Sequence, residues 1–455
     1  MQPKPITVSN LKESLYTSLT ALFVLFITSC SNDDQNYHYV EDSMLQEKII
    51  SLYGALDALQ LPLESNLNSI PADPKNPLTP EKVALGKFLF HETGLALNPV
   101  KEMGRNTYSC ASCHHAAAGF QSGNLQGIGE GGFGFGTKGE TRHISIDYLE
   151  EDLDVQPLKS PSILNTAYQK IMLWNGQFGG TAENQGTESS WTSNTPKEKN
   201  TLGFEGLETQ AIAGLDVHRL LIDTTFLEYN GYKPLFDIAF PNIPENKRYS
   251  TINAGLAIAA YERTVLANKA PFQEWLKGGK NALSAEELNG ANLFFGKAEC
   301  YKCHSGPGLN ETGFYAIGMN DLDPNSSHIT IDEATKKGRG GFTGKEKDNY
   351  KFKIPSLYNL KNGTNFGHGG SFTSIKAVIE YKNMAIAENT TIPEDQLSEH
   401  FIPLNLTPEE VNDLTSFVEN SLYDNNLDRY TPERLPSGNC FPNADSESKT
   451  DMGCN

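Results

Sequence analysis

The stretch CASCHH at residues 110–115 returns far down the chain as CYKCH at residues 300–304. Both contain Cys-x-x-Cys-His. Two thiols and the imidazole that follows them can all reach one macrocycle from a single short turn, which is how a c-type haem is attached. The thiols become thioethers and the histidine an axial iron ligand. A structural zinc site would gather four ligands in compact pairs, and these pairs lie far apart. A thioredoxin-like dithiol would open a helix after a strand in a βαβ setting. The spacing therefore assigns Cys110, Cys113 and His114 to one haem and Cys300, Cys303 and His304 to a second.

The chain around these motifs has 455 residues, enough for two or three ordinary domains. With 38% hydrophobic and 20% charged residues it can bury real cores. A formal charge of −19 argues against nucleic acid or an anionic lipid surface as partner. At the N-terminus, Lys4 and Lys12 precede the apolar run LYTSLTALFVLFITSC, a secretory signal whose core is short for a membrane span. ITSC at 27–30 resembles a bacterial lipobox. Residues 1–29 then read as a lipoprotein signal peptide and Cys30 as a lipid anchor. Cleavage there removes two lysines and one glutamate and takes the charge from −19 to −20. SNDD after Cys30 resembles a surface-export tag, so the expected location is the outer membrane, facing periplasm or cell surface. Export agrees with haem attachment, which takes place outside the cytoplasm. Cys440 and Cys454 lie in a polar tail and are expected to close a disulfide in that oxidising compartment.

Between the motifs the pattern is mostly α, with long loops. Residues 30–43 read as a polar tether, and 44–59 show helical apolar spacing. Thr79-Pro80 is an N-cap and first helical residue for EKVALGKFLFHE. Residues 121–200 are loop-rich. The run GEGGFGFGTKG lacks the ending of a phosphate loop, and GGTAENQGTESSWTSNTPKEKN reads as a surface insertion. Helices are expected near 206–222, 250–268 and 374–385, after the capping box Ser284/Glu287 and after Thr407. In each half a capped helix, VALGKFLF or LNGANLFF, leads into a Cys-x-x-Cys-His. The expected architecture is two cytochrome c-like haem domains, 44–270 and 271–435, followed by the tail 436–455.

Several longer segments resemble the bacterial di-haem cytochrome c peroxidases and their relative that matures methylamine dehydrogenase. These are NPLTPEKVALGKFLF, SPSILNTAYQKIMLWNGQ, AIAAYERT, LSAEELNGANLFFGKAECYKCHSGP, GRGGFTG and FKIPSLYNLKNGTNFGHGGSF, spread over about residues 70–425. The resemblance implies reduction of hydrogen peroxide to water with electrons from a small cytochrome c or similar donor. It implies that the His114 haem meets peroxide, that the His304 haem takes in electrons, and that Trp174 bridges them. His368 in FGHGGSF matches a family histidine near the second haem.

The chain departs from that family in four places. Where an Ile-Gly-His-Gly motif supplies a distal histidine, this chain reads Ile128-Gly129-Glu130-Gly131, which implies a peroxidatic haem open at rest. Where a catalytic glutamate follows Gln210, this chain has Val217-His218-Arg219. His218 is the expected proton carrier, with Gln210 beside it and Asp216 and Glu208 as runners-up. The distal ligand of the second haem falls in SIKAVIEYKNM, where spacing does not choose among Tyr381, Lys382 and Met384; Met384 is carried as the ligand. A bridging calcium stays an option only, because Lys159 and the Gly363-Thr364-Asn365 run alter its positions.

The resulting expectation is an exported, lipid-anchored cytochrome-c peroxidase with two covalent haems. A maturation-type oxidase acting on a protein substrate and a non-catalytic di-haem electron carrier are the alternatives. A homodimer is compatible with the sequence and not required by it.

Overall fold

The computed structural model describes residues 40–454. The signal peptide, the lipobox and Cys30 lie outside the described residues. A helix covers residues 40–53, so the last four residues assigned to the tether are helical. Asp42 there accepts the Trp275 indole N–H at 2.6 Å.

The protein is helix-rich, and its few strands are two-residue pairs: Gly132–Phe133 with His143–Ile144, and Phe314–Tyr315 with Phe352–Lys353. The first lead-in helix, Pro80–His91, starts where the Thr79 hydroxyl accepts the Lys82 N–H. Proline takes the first helical position, where no N–H is needed. The second, Ala285–Phe294, starts with the reciprocal Ser284/Glu287 capping box. Each crosses a partner helix, Thr251–Arg263 for the first and Pro408–Ser416 for the second. Glycine sits at both crossings. A β-carbon on Gly86 would lie 1.8 Å from the Ala257 carbonyl oxygen, and one on Gly290 2.0 Å from that of Asp413. No other residue lets two backbones approach so closely. The helix expected over 206–222 ends at Val217, because Arg219 adopts φ 57° and turns the chain.

The second half of each unit repeats as well. Ser160-Pro161-Ser162 and Ile354-Pro355-Ser356 lead to Asn165 and Asn359, both left-handed at φ 61° and 58°. Each asparagine N–H then bonds a carbonyl after the partner helix, Val265 for Asn165 and Leu422 for Asn359. A tight bend follows in both, closed by the bridges Met172–Phe178 and Phe366–Phe372. Trp174 and His368 occupy the same place, two residues into these bends.

The two halves interlace at their ends. The helix 40–53 and the loop after it bond the second half: Lys48 reaches Asn292 at 2.9 Å, and Gln273 accepts the Leu61 N–H at 2.7 Å. Conversely, the tail folds back on the first half. The Ser109 and Ser112 hydroxyls donate to the Pro442 carbonyl at 2.9 and 3.1 Å, and Asp445 pairs with buried Arg142. The sequence boundary at residue 270 therefore does not separate the contacts. The tail is closed by a Cys440–Cys454 disulfide. It docks on the glycine run: Asp445 accepts the Gly134 N–H, and Asp451 those of Phe135 and Gly136.

Candidate haem sites and the bridge between them

Both Cys-x-x-Cys-His motifs form the same turn. Residues Cys110–Ser112 and Cys300–Lys302 are short 3-10 turns, and the His114 and His304 N–H groups return to the carbonyls of Cys110 and Cys300 at 3.2 and 2.8 Å. In both, the imidazole Nδ1 faces a carbonyl, Phe120 at 3.3 Å and Leu309 at 3.2 Å. A proton held there leaves Nε2 with a free lone pair, the tautomer a metal requires. Burial pushes both imidazoles down to about 4. Burial also keeps the thiols protonated, with Cys113 and Cys300 raised to about 12. All four thiols are free. Around Cys300, Cys303 and His304 lies a cavity of ≈380 Å³ lined largely by apolar side chains, among them Phe294, Ile317, Leu357, Ile375 and Ile379. The donor set fits a covalently attached haem at each turn, and this cradle fits one at the second.

Near the first turn, His218 caps the helix Gly206–Val217 and its Nδ1 lies 2.9 and 3.0 Å from the two carboxylate oxygens of Asp154. Burial lowers the His218 pKa, but the Asp154 carboxylate more than offsets this and the net direction is up. The charge of His218 is felt at His114, and that of Asp154 at Cys113. Gln210, Gly214 and His218 share a stripe at four-residue spacing. The Gln210 side chain makes no hydrogen bond among the described residues. The runners-up fall away: Asp216 is bound to Lys199 at 2.9 Å on the surface, and Glu208 is locked to Arg263 at 2.7 Å inside. Glu130 is not a loose solvated carboxylate. It is wholly buried and accepts from Val100 N–H, Lys101 N–H, Tyr148 OH and Arg219. Its oxygens are taken up by this network.

Between the sites, Trp174 donates its indole N–H to the Lys159 carbonyl at 2.8 Å. Its ring meets His368 edge to face, centroids 6.4 Å apart. His368 in turn stacks on Phe352 at 3.7 Å, and its Nε2 lies 3.2 Å from Asp321. The two bends hold each other reciprocally: Lys353 N–H donates to Trp174 O at 2.7 Å, and Lys159 N–H to His368 O at 3.0 Å. Trp174 and His368 both line the second cavity, as do Ser160, Pro161 and Ser162. The Pro161 backbone also reaches His114, so one strand of chain touches both sites. The polar stretch expected as a surface insertion has a role here. Its buried Asn184 holds the Gly176 and Gly179 carbonyls of the Trp174 bend at 2.9 Å.

One expectation needs correction. Met384 is not in the second cavity: its side chain is 56% exposed. The helix Ile375–Met384 turns Ile375, Val378, Ile379 and Lys382 inward, and Met384 falls on another face. Tyr381 is buried with its hydroxyl on the Ile317 carbonyl at 2.5 Å. Among the described residues no group of three or more His, Cys, Asp or Glu side chains is gathered for a metal. The Lys159 ammonium instead faces the Ser122 and Asn124 carbonyls at 3.3 and 3.4 Å.

Sequence reasoning missed Asp154, Arg142 and Glu262. Arg142 is buried on the Ile128 and Gly129 carbonyls at 2.7 and 2.9 Å. Glu262 lies close enough to Cys110 to act on its thiol, and burial, aided by Glu208, pushes it up to about 8. Asp154 sits in a loop rich in acids, EEDLD, where no spacing marks it out.

Residues 80–281 match the family model described as di-haem cytochrome c peroxidase. Over this stretch the chain is similar to that family. Among relatives, it is 29% identical over 357 residues to the methylamine utilization protein MauG of Methylorubrum extorquens, covering 77% of this chain and 81% of that one. It is also 29% identical over 375 residues to the cytochrome-c peroxidase IdrP1 of a Pseudomonas species, covering 78% and 84%. A solved MauG-like protein associated with microbial copper homeostasis shares the fold, with a TM-score of 0.53 at 22% identity over 81% of this chain and 94% of that one. This similarity supports two c-type haems and a di-haem oxidoreductase class.

Proposed function

We propose that this protein reduces hydrogen peroxide to water, with electrons from a small redox protein entering at the His304 haem and peroxide bound at the His114 haem. The observation that carries the reading is the His218–Asp154 pair beside the first Cys-x-x-Cys-His turn. A bound haem, held by Cys110, Cys113 and His114, would supply a redox-active iron and a store of oxidising equivalents. Asp154 holds His218 by Nδ1, which orients the ring and leaves Nε2 to accept a proton from one peroxide oxygen and return it to the other. The acidic chain suits a basic electron donor. Trp174 and His368, in contact between the sites, support transfer from one to the other. Export and lipid anchoring through Cys30 remain part of the proposal.

The maturation-type alternative anticipated a tyrosine ligand, and Tyr381 spends its hydroxyl on Ile317 instead. A plain electron carrier has no use for an oriented His–Asp pair. The test is stopped-flow absorbance of the fully oxidised, haem-loaded protein mixed with hydrogen peroxide, followed by turnover with a reduced cytochrome. A rapid Soret change without prior reduction is expected, because no distal histidine stands at residue 130. Silence in both the oxidised and half-reduced protein would sink the peroxidase reading.

A further inference from the structure

The second cavity contains an amine that the proposed reaction has not used. Ile375, Val378, Ile379 and Lys382 form one i, i+3, i+4, i+7 stripe, and all four line the cavity that holds Cys300, Cys303 and His304. Three of the four are aliphatic, so the lysine ends an otherwise apolar face. Its Nζ makes no hydrogen bond and no ion pair among the described residues; its one partner is the Phe401 ring, 5.3 Å from the centroid. Lys382 acts electrostatically on Cys300, Cys303 and His304, three groups of one turn. A lysine drawn into an apolar pocket with no acceptor is costly unless its nitrogen finds a partner there.

We propose that Lys382 is the second axial ligand of the haem held by Cys300, Cys303 and His304, its neutral amine donating the nitrogen lone pair to iron after losing its proton to solvent. The inference rests on the haem reading of that turn but not on the peroxidase reading. The neighbouring candidates are otherwise engaged. The Tyr381 hydroxyl is bonded to Ile317 O, Met384 is exposed, and His368 is stacked on Phe352 with Nε2 toward Asp321. His400 is exposed beside Tyr315. Met319 and His400 also line this cavity and are the rivals the geometry leaves. An amine ligand sets a lower reduction potential than a thioether, so this haem would differ from one with Met.

The experiment is electron paramagnetic resonance and visible spectroscopy of the full haem-loaded chain, after haem stoichiometry has been measured. In wild type one low-spin ferric haem is expected to be Lys-ligated. In Lys382→Ala that signal is expected to turn high-spin and to return on addition of methylamine, which shows that the pocket is intact. Lys382→Met is expected to keep a low-spin haem at a more positive midpoint potential. Met319→Leu, His400→Gln and Met384→Leu are expected to leave the spectrum unchanged. An unaltered low-spin signal in Lys382→Ala, or its loss in Met319→Leu or His400→Gln, overturns the proposal. A chain that carries no haem at Cys300 and Cys303 overturns it together with the haem reading. A failure of peroxide turnover alone leaves these spectra, and the ligand they report, unaffected.

Discussion

At the scale of single residues, several groups exert effects that their position in the chain does not advertise. His91 ends the first lead-in helix, buried against Phe90, Tyr261 and Phe441 with Nδ1 on the Lys87 carbonyl at 2.8 Å. Burial holds it down at about 4, against an ordinary value near 6.5. Its folded-state pKa is depressed, so its contribution is complete above pH ~6.5 and is lost as the pH falls toward 4. The amount is about 3 kcal/mol. His91→Phe should flatten the stability–pH profile between those values, measured by urea unfolding at stepped pH. His218 and Asp154 make a different prediction. His218→Gln should lower peroxide turnover by about 10²–10⁴-fold, and Asp154→Asn should lower it less while moving the pH profile. Unchanged turnover in His218→Gln would remove it from the reaction. The two Cys-x-x-Cys-His turns were legible because their residues are contiguous in the chain. Asp154 was not, because it meets His218 across 64 residues of chain. Met384 was misplaced because half a helical turn separates an inward residue from an exposed one.

Helices and turns were easier to read than the contacts they make. Thr79, Ser284 and Thr407 cap where local hydrogen bonding calls for them. What the pattern could not show is why VALGKFLF and LNGANLFF both need glycine, since the reason lies in a helix distant in sequence. Gly86→Ala would drive a methyl group into the Ala257 carbonyl and should cost about 3 kcal/mol or more, read as a lowered denaturation midpoint. The tail was expected to be polar and disulfide-closed, yet its surface role came from folding back on Ser109 and Ser112. Breaking Cys440–Cys454 by a double Cys→Ser change removes the constraint on a loop of 14 residues' separation, worth about 3 kcal/mol in the chain-entropy account. The expected outcome is a lower Tm with early protease cleavage in the tail. Disturbance of the first haem's spectrum should accompany it before that of the second.

Across the whole molecule, the internal echo heard in the lead-in helices extends to the Asn165/Asn359 turns and the Trp174/His368 bends. The reciprocal bonds between Lys353 and Trp174, and between Lys159 and His368, bind the two repeats at their meeting point. Burial lowers both lysine side chains, to about 8 for Lys159 and about 7 for Lys353. Trp174→Phe keeps an aromatic edge on His368 but loses the N–H bond to Lys159. It should slow electron transfer between the haems while leaving peroxide binding at the first unchanged, resolved by pre-steady-state mixing of half-reduced protein. Equal rates in mutant and wild type would place the route elsewhere.

That meeting point presents the same kind of contact to either side: a ring two residues into a bend, its carbonyl held by the other repeat's lysine backbone. A junction so nearly alike from left and right cannot act as a rectifier. Whatever makes current run one way must be built into the terminals, a His–Asp pair beside one turn and a lysine-lined, apolar cavity at the other. Changing those ends, rather than the wire, is how this architecture would be made to run in reverse.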